Sequence, residues 1–214
     1  VRRRKFLAGA AAVGAAFPLS ARAQVEAFRP LFNGRDLSGW VPVGPKPGEW
    51  RAEEGILSVQ AGGSGWLRTE REYRDFVLRL KFRLPPAGNS GVFLRAPLAG
   101  NPAFDGLEIQ ILDHFHEEYR GIKPAQFTGS IYDLVPARQE GLLPAGQWNA
   151  FEITHRGDAL TVALNGLKIV EADLTRLRRR IEDHPGIGRK EGFIGLQSHG
   201  SVVQFRDLLI RELP

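Results

Sequence analysis

The sequence contains no cysteine among its 214 residues. That absence excludes disulfide staples, thiolate zinc sites and a cysteine nucleophile. Stability must come from a buried core, which a chain of this size can supply. A membrane-spanning run is missing as well. The longest apolar stretch, Phe6 to Leu19, is rich in Ala and Gly and falls short of the about 20 apolar residues a spanning helix needs. Beyond it there is no internal repeat, no low-complexity segment and no linker long enough to divide the chain.

An excess of one charge sign disappears on inspection. Residues 1–23 read as a signal peptide: a basic start (Arg2, Arg3, Arg4, Lys5), the weakly apolar stretch, and the small-residue site Ala21-Arg22-Ala23. The Arg3-Arg4 pair followed by Phe6-Leu7 predicts a twin-arginine export route, and with it a periplasmic or secreted mature domain over 24–214. Five of the 29 Lys and Arg residues lie in this leader, which leaves 24 against 24 acidic residues. With the basic surplus gone, nucleic acid is not an expected partner.

Past the leader, short alternating segments succeed one another. In "DFVLRLKFRL" (75–84) Phe76, Leu78, Leu80 and Phe82 alternate with Val77, Arg79, Lys81 and Arg83, as in a half-buried strand with a basic outer face. "GVFLR", "GLEIQIL", "WNAFEITHRG", "ALTVALNG", "LKIVEA", "GFIGLQSH" and "VVQFRDLLIREL" read the same way. Asn165-Gly166 between two of them predicts a type I′ hairpin turn, since both residues tolerate positive φ. The one helical candidate is "LTRLRRRIED" (174–183). Many short strands separated by Gly/Pro turns predict an all-β jelly-roll sandwich of two antiparallel sheets.

The polar faces of these strands carry functional groups. In "GLEIQILDHFH" (106–116), Leu107, Ile109 and Ile111 face one way and Glu108 and Gln110 the other. The same alternation sets Arg95 opposite Val92 and Leu94, and Gln197 and His199 opposite Ile194 and Leu196. If these strands are neighbours, an acid, two amides, an imidazole and a guanidinium converge, a set suited to binding sugars and moving protons. Arg95 beside Glu108 is equally an ordinary cross-strand ion pair, and His199 an ordinary strand end. His114 and His116 form an H-x-H pair that, with Glu108, would give a divalent metal an edge; a strand-to-loop exit at Asp113 is the plainer reading. No cofactor is otherwise required. His155 and His184 have no supporting neighbours and are expected at the surface. Trp40, Trp50 and Trp148 are expected in the core, whereas Trp66, after the "AGGSG" turn, offers a stacking face.

Glu108 and Asp113 also invite comparison with retaining glycosidases, because "EIQILD" is similar to the E-x-D-x-x-E strand of laminarinase-type enzymes. Gln110 replaces the middle acid, and only a β-bulge would bring positions 108 and 113 to one face at the roughly 5–5.5 Å that retaining chemistry needs.

"LFNGRDLSGW" (31–40) resembles the opening signature of the 3-keto-disaccharide hydrolase domain family. The likeness continues in order through "EWRAEEGILSV", "GNSGVFLR", "GLEIQILD", "TGSIYDLVPA", "GQWNAFEI" and "GFIGLQSHGSVVQFRDLLIREL". The resemblance implies a concanavalin-like jelly roll, export from a bacterium, and cleavage of glycosides whose C3 hydroxyl is already a ketone. A sugar 3-dehydrogenase is then the expected upstream enzyme. Such a ketone acidifies the C2 proton, so a base can form an enediolate and the C1 oxygen can leave by β-elimination, with or without later hydration. Chemistry then suggests His199 or Glu108 as base, Arg95 for the enolate, and Asp113 as acid or its orienter. Tyr132 is a second acid, and Gln110, Gln197, Asn89 and Ser90 are hydroxyl ligands. A lectin-like binding module and a retaining glycosidase using Glu108 and Asp113 are the alternatives.

Overall fold

The computed structural model describes residues 27–46 and 49–214; the expected leader lies outside the described residues. Among the described residues thirteen strands run in chain order, beginning with β1 (Arg29–Pro30), β2 (Trp40–Lys46), β3 (Trp50–Glu53), β4 (Ile56–Val59), β5 (Ser64–Tyr73), β6 (Phe76–Arg83) and β7 (Asn89–Ala96). A single helical turn α1 (Pro102–Asp105) precedes β8 (Leu107–Leu112), followed by β9 (Asn149–Arg156), β10 (Ala159–Leu164), β11 (Leu167–Asp173), β12 (Gly192–His199) and β13 (Val203–Glu212).

They form two antiparallel sheets. The larger has the order β11-β10-β9-β6-β13-β4-β3, with β1 beside β13; the smaller has the order β2-β5-β12-β7-β8. Period-2 alternation explains why these strands stack as two layers. Leu67, Val92, Leu94, Leu107, Ile109, Ile194 and Leu196 of the smaller sheet join Phe76, Leu78, Leu80, Phe82, Phe151, Ile153, Phe205 and Ile210 of the larger in one cluster. None of these is more than 2% exposed. Each such side chain contributes roughly 1.5–3 kcal/mol of burial free energy, set against the cost of ordering the chain. The sandwich expected from the sequence is what the chain forms.

Local chemistry accounts for several turns. Asn165 and Gly166 both adopt positive φ (49° and 85°), and Leu164 pairs directly with Leu167, so the expected two-residue hairpin joins β10 to β11. The helical candidate shortens to a 3₁₀ segment, Leu174–Arg180, capped by the Asp173 carboxylate accepting from Thr175 N–H. Three consecutive arginines at its end favour solvent over a packed face. Strands β2 and β5 depart from strict alternation, because Pro42, Gly44 and Pro45 interrupt β2 and charges break the pattern of β5. Trp40 and Trp50 are core residues, but Trp148 is half-buried on the outside, its ring covered by the Arg83 and Arg206 guanidiniums.

One irregularity decides the site. Along β7 three steps, Phe93 to Ala96, match only two steps of β12, Gly195 to Phe193. The extra residue makes a β-bulge, and Arg95 sits in it with φ of 48°.

Candidate functional site

The smaller sheet floors a cleft of about 570 Å³ on its face away from the core. Strand β8 supplies Glu108 and Gln110, β7 supplies Asn89 and Phe93, β12 supplies Gln197 and His199, and β5 supplies Trp66. Tyr132 lines one side. Backbone pairing beyond β8 puts it there: Gln110 N–H donates to Ser130 C=O (3.1 Å), and Tyr132 N–H donates to Glu108 C=O (2.9 Å). The edge strand β2 and the segment 98–104 complete the walls.

Two missing side chains make room on the floor. A Cβ on Gly91 would fall 2.1 Å from Glu108 Oε1, and one on Gly195 would fall 2.2 Å from Trp66 Cε3. Glu108 therefore lies across β7 and the Trp66 ring across β12. Trp66 meets Phe93 edge-on, with centroids 5.6 Å apart. It is only 4% exposed, so it supports the floor more than it offers a stacking face.

Glu108 is 3% exposed, and among the described residues it is the only carboxylate lining the cleft. Burial pushes its pKa up to about 8, and a hydrogen bond from Gln197 pulls weakly the other way. A carboxyl poised this close to neutrality can exchange a proton in either direction. Gln110 Oε1 accepts from the Ile111 N–H (3.2 Å), so its amide nitrogen retains the donors. At the exposed rim, Asn89 Nδ2 donates to His199 Nδ1 over 3.2 Å. The neutral imidazole then carries its proton on Nε2. Asn89 Oδ1 and Gln197 Oε1 are buried without a hydrogen-bond partner, and two orphaned acceptors in a cleft call for hydroxyl donors from a ligand.

Glu108, Gln110, Asn89, Gln197, His199, Tyr132 and Trp66 thus meet in one cleft, but three of the expected site residues do not. Arg95 is fully buried away from it. The bulge reverses its alternation, and its guanidinium donates to the carbonyls of Arg74 (2.9 Å), Gly157 (2.9 Å) and Arg189 (3.0 Å) and to the Asp75 carboxylate (2.9 Å). It ties three connections together and cannot reach an enolate in the cleft. Asp113 lies beyond the end of β8, where its carboxylate accepts from Ala87 N–H (3.1 Å) and fixes a tight turn. It forms no pair with Glu108. Ser90 is fully buried and donates to Gln197 C=O (2.8 Å); it holds β7 to β12 and binds no ligand there.

The H-x-H pair also diverges. His114 is buried between Phe115 and Phe127, with Nδ1 accepting from Thr128 N–H (3.2 Å). His116 Nδ1 accepts from Glu118 N–H at the start of a 3₁₀ turn. Among the described residues no three His, Asp or Glu side chains gather as a metal centre. His155 and His184, expected at the surface, are both fully buried. His155 packs against Phe76. His184 Nε2 lies 3.2 Å from the Asp133 carboxylate, to which Arg180 also donates (3.0 Å), and its ring backs Phe104 of the cleft wall.

Sequence reasoning missed that wall. Asn101 caps α1 by accepting from Ala103 N–H, and Asp105 accepts from Asn101 N–H (2.7 Å). The signal was the short motif "GNPAFD", an Asn cap followed by Pro at the first helical position.

Comparison with known proteins agrees with this architecture. A curated 3-keto-disaccharide hydrolase of Bacteroides thetaiotaomicron is 25% identical, the alignment covering 86% of this chain and 77% of the relative. A crystallised candidate glycosyl hydrolase of Parabacteroides distasonis superposes with a TM-score of 0.77 at 26% identity, over 92% of this chain and 98% of its own. A second from the same organism gives 0.74 at 29%, over 88% and 100%. Residues 27–211 match the 3-keto-alpha-glucoside-1,2-lyase-like domain, and the chain belongs to that family.

Proposed function

We propose that the cleft cleaves glycosides bearing a C3 ketone, by elimination across C1 and C2. The observation that carries this reading is the solitary Glu108. Paired-carboxylate hydrolysis needs two acids flanking the bond, and the described cleft has one, desolvated and raised to about 8. Elimination needs one base, a donor for the enolate and an acid for the leaving oxygen.

Ionised Glu108 takes the C2 proton. The C–H electron pair forms the C2–C3 double bond and charge collects on the C3 oxygen, where the Gln110 or Gln197 amide donates to it. The enolate re-forms the ketone, the C1–O bond breaks, and the departing oxygen, hydrogen-bonded by His199 Nε2–H, takes up a proton from solvent at the exposed rim. Tyr132, whose hydroxyl accepts from Gln126 Nε2 (3.0 Å), is the second donor at that end. The products are an alcohol and a 1,2-unsaturated 3-keto sugar. Water added at C1 completes a net hydrolysis. The route calls on no metal ion; a sugar 3-dehydrogenase supplies the ketone, and the periplasm is its compartment.

The test compares a 3-keto-glycoside with its unoxidised parent, with and without EDTA, for the wild type, Glu108→Gln and His199→Ala. The reading expects cleavage of the keto sugar alone and its loss in Glu108→Gln. In the wild type kcat/KM rises with pH and levels off above about 8. Cleavage of the parent compound, or full activity in Glu108→Gln, would sink it. Saccharide binding without turnover would make the domain a lectin-like module.

A further inference from the structure

We infer that the wall formed by residues 98–104 is a leaving-group subsite for an apolar aglycone and not for a second sugar. This rests on the reading that the cleft cleaves 3-keto-glycosides, and concerns which ones.

The polar groups of the cleft are unevenly distributed. Glu108, Gln110, Asn89, Gln197 and His199 rise from the floor strands β7, β8 and β12, enough to serve the hydroxyls of one sugar ring, while Ser64 of β5 and Tyr132, edge-on to Phe104, are the hydroxyls left for anything bound beyond it. A cleft of about 570 Å³ has space for a second ring. The wall that ring would meet presents Leu98, Ala99, Pro102 and Phe104. Leu98 is 64% exposed, one of the large apolar side chains that the fold leaves in water. Opposite, β2 contributes Val43 and Pro45.

The polar side chain on this wall is half engaged, with only its amide nitrogen left for a ligand. Asn101 Oδ1 accepts from Ala103 N–H (3.0 Å) as the cap of α1. Its backbone is held by Asp105, and a Cβ on Gly100 would come within 2.2 Å of that carboxylate. Residues 100–105 are therefore held to one shape, with Leu98 exposed just before them. A second sugar placed here would bury hydroxyls with few partners, which is unfavourable. An apolar ring would instead cover Leu98 and remove its exposed surface from water. Discrimination of this kind falls on binding, so it belongs in KM more than in kcat.

Three 3-keto-glucosides test this: a glucosyl (disaccharide), a phenyl and a cyclohexyl compound. Cyclohexanol is no better a leaving group than a sugar alcohol, so it separates apolar contact from the electronic advantage of a phenol. The wild type should favour cyclohexyl over glucosyl by about tenfold or more in kcat/KM, through KM. Leu98→Asn, at an exposed position that poses little threat to folding, should shift that ratio about tenfold toward the disaccharide. Equal or better use of the disaccharide by the wild type, or an unchanged ratio in Leu98→Asn, overturns the inference. If none of the three is cleaved, it is the elimination reading that fails. Calorimetry then still judges the wall: tighter binding of the cyclohexyl compound that is lost in Leu98→Asn supports it, and equal binding of all three rejects it.

Discussion

Replacing Glu108 by Gln should make the protein more stable at alkaline pH while removing its activity. The carboxyl is held in a site that raises its pKa from 4.5 to about 8, burial being the main cause. The native state thus keeps the proton longer than the unfolded chain does. Stability from this group is whole below about pH 4.5 and is lost as the pH climbs to about 8. Within that window the slope is about 1.4 kcal/mol per pH unit, so moving from pH 5.5 to 7.5 costs the wild type roughly 2–3 kcal/mol from this residue. The full gap sets a ceiling of roughly 4–5 kcal/mol. Glutamine has nearly the same shape and is neutral throughout, so Glu108→Gln lacks this loss. Urea unfolding of both proteins at pH 5.5, 6.5 and 7.5 gives the difference directly, with slopes compared to confirm a common unfolded state. The variant should gain on the wild type by about 1 kcal/mol or more at each step. Parallel pH profiles would refute the argument that Glu108 is a desolvated, protonated acid at the floor of the cleft. The same result would remove the reason to expect a pH-dependent base there.

Three other substitutions probe the supports of the site. Gly91→Ala places a methyl 2.1 Å from Glu108 Oε1, so activity should fall at least about 100-fold from displacement of that carboxylate; a fully active variant would mean that Glu108 has another productive position. Arg95→Lys cannot satisfy three carbonyls and Asp75 together, and should lower unfolding free energy by about 3 kcal/mol, measured in urea, while folded molecules still turn over substrate. His155 is held neutral by burial and by the nearby Arg95 and Lys190 charges, its pKa well below 6.5. The wild type should therefore lose stability as pH falls below about 6.5. His155→Leu should lack that fall between pH 4.5 and 6.5, and an identical acid limb in both proteins would show that His155 is not its source.

How far the sequence can be read here depends on whether the information is local. Asn165-Gly166 dictates its own φ values, and the alternation of Phe76, Leu78, Leu80 and Phe82 dictates which side of β6 is buried; neither needs knowledge of a partner strand. The sandwich is the sum of many such segments. The same rule assigns Glu108, Gln110, Gln197 and His199 to the correct faces, and the pairing of β12 with β7 and of β7 with β8 brings them together. The rule fails where a partner changes the count. Through Phe93 the alternation along β7 holds, and at Arg95 it breaks, because the extra residue is defined only against Gly195 and Phe193 of β12. A single sequence does not show that mismatch. The burial of His155 and His184 escapes it for a related reason, since each is covered by elements distant in the chain. Such a miss has a consequence for chemistry. An arginine in the cleft would have lowered the pKa of Glu108 by pairing with it. The bulge that withdraws Arg95 leaves that carboxyl without a cationic partner in a desolvated floor, so burial is free to raise the pKa on which the proposed proton transfer depends.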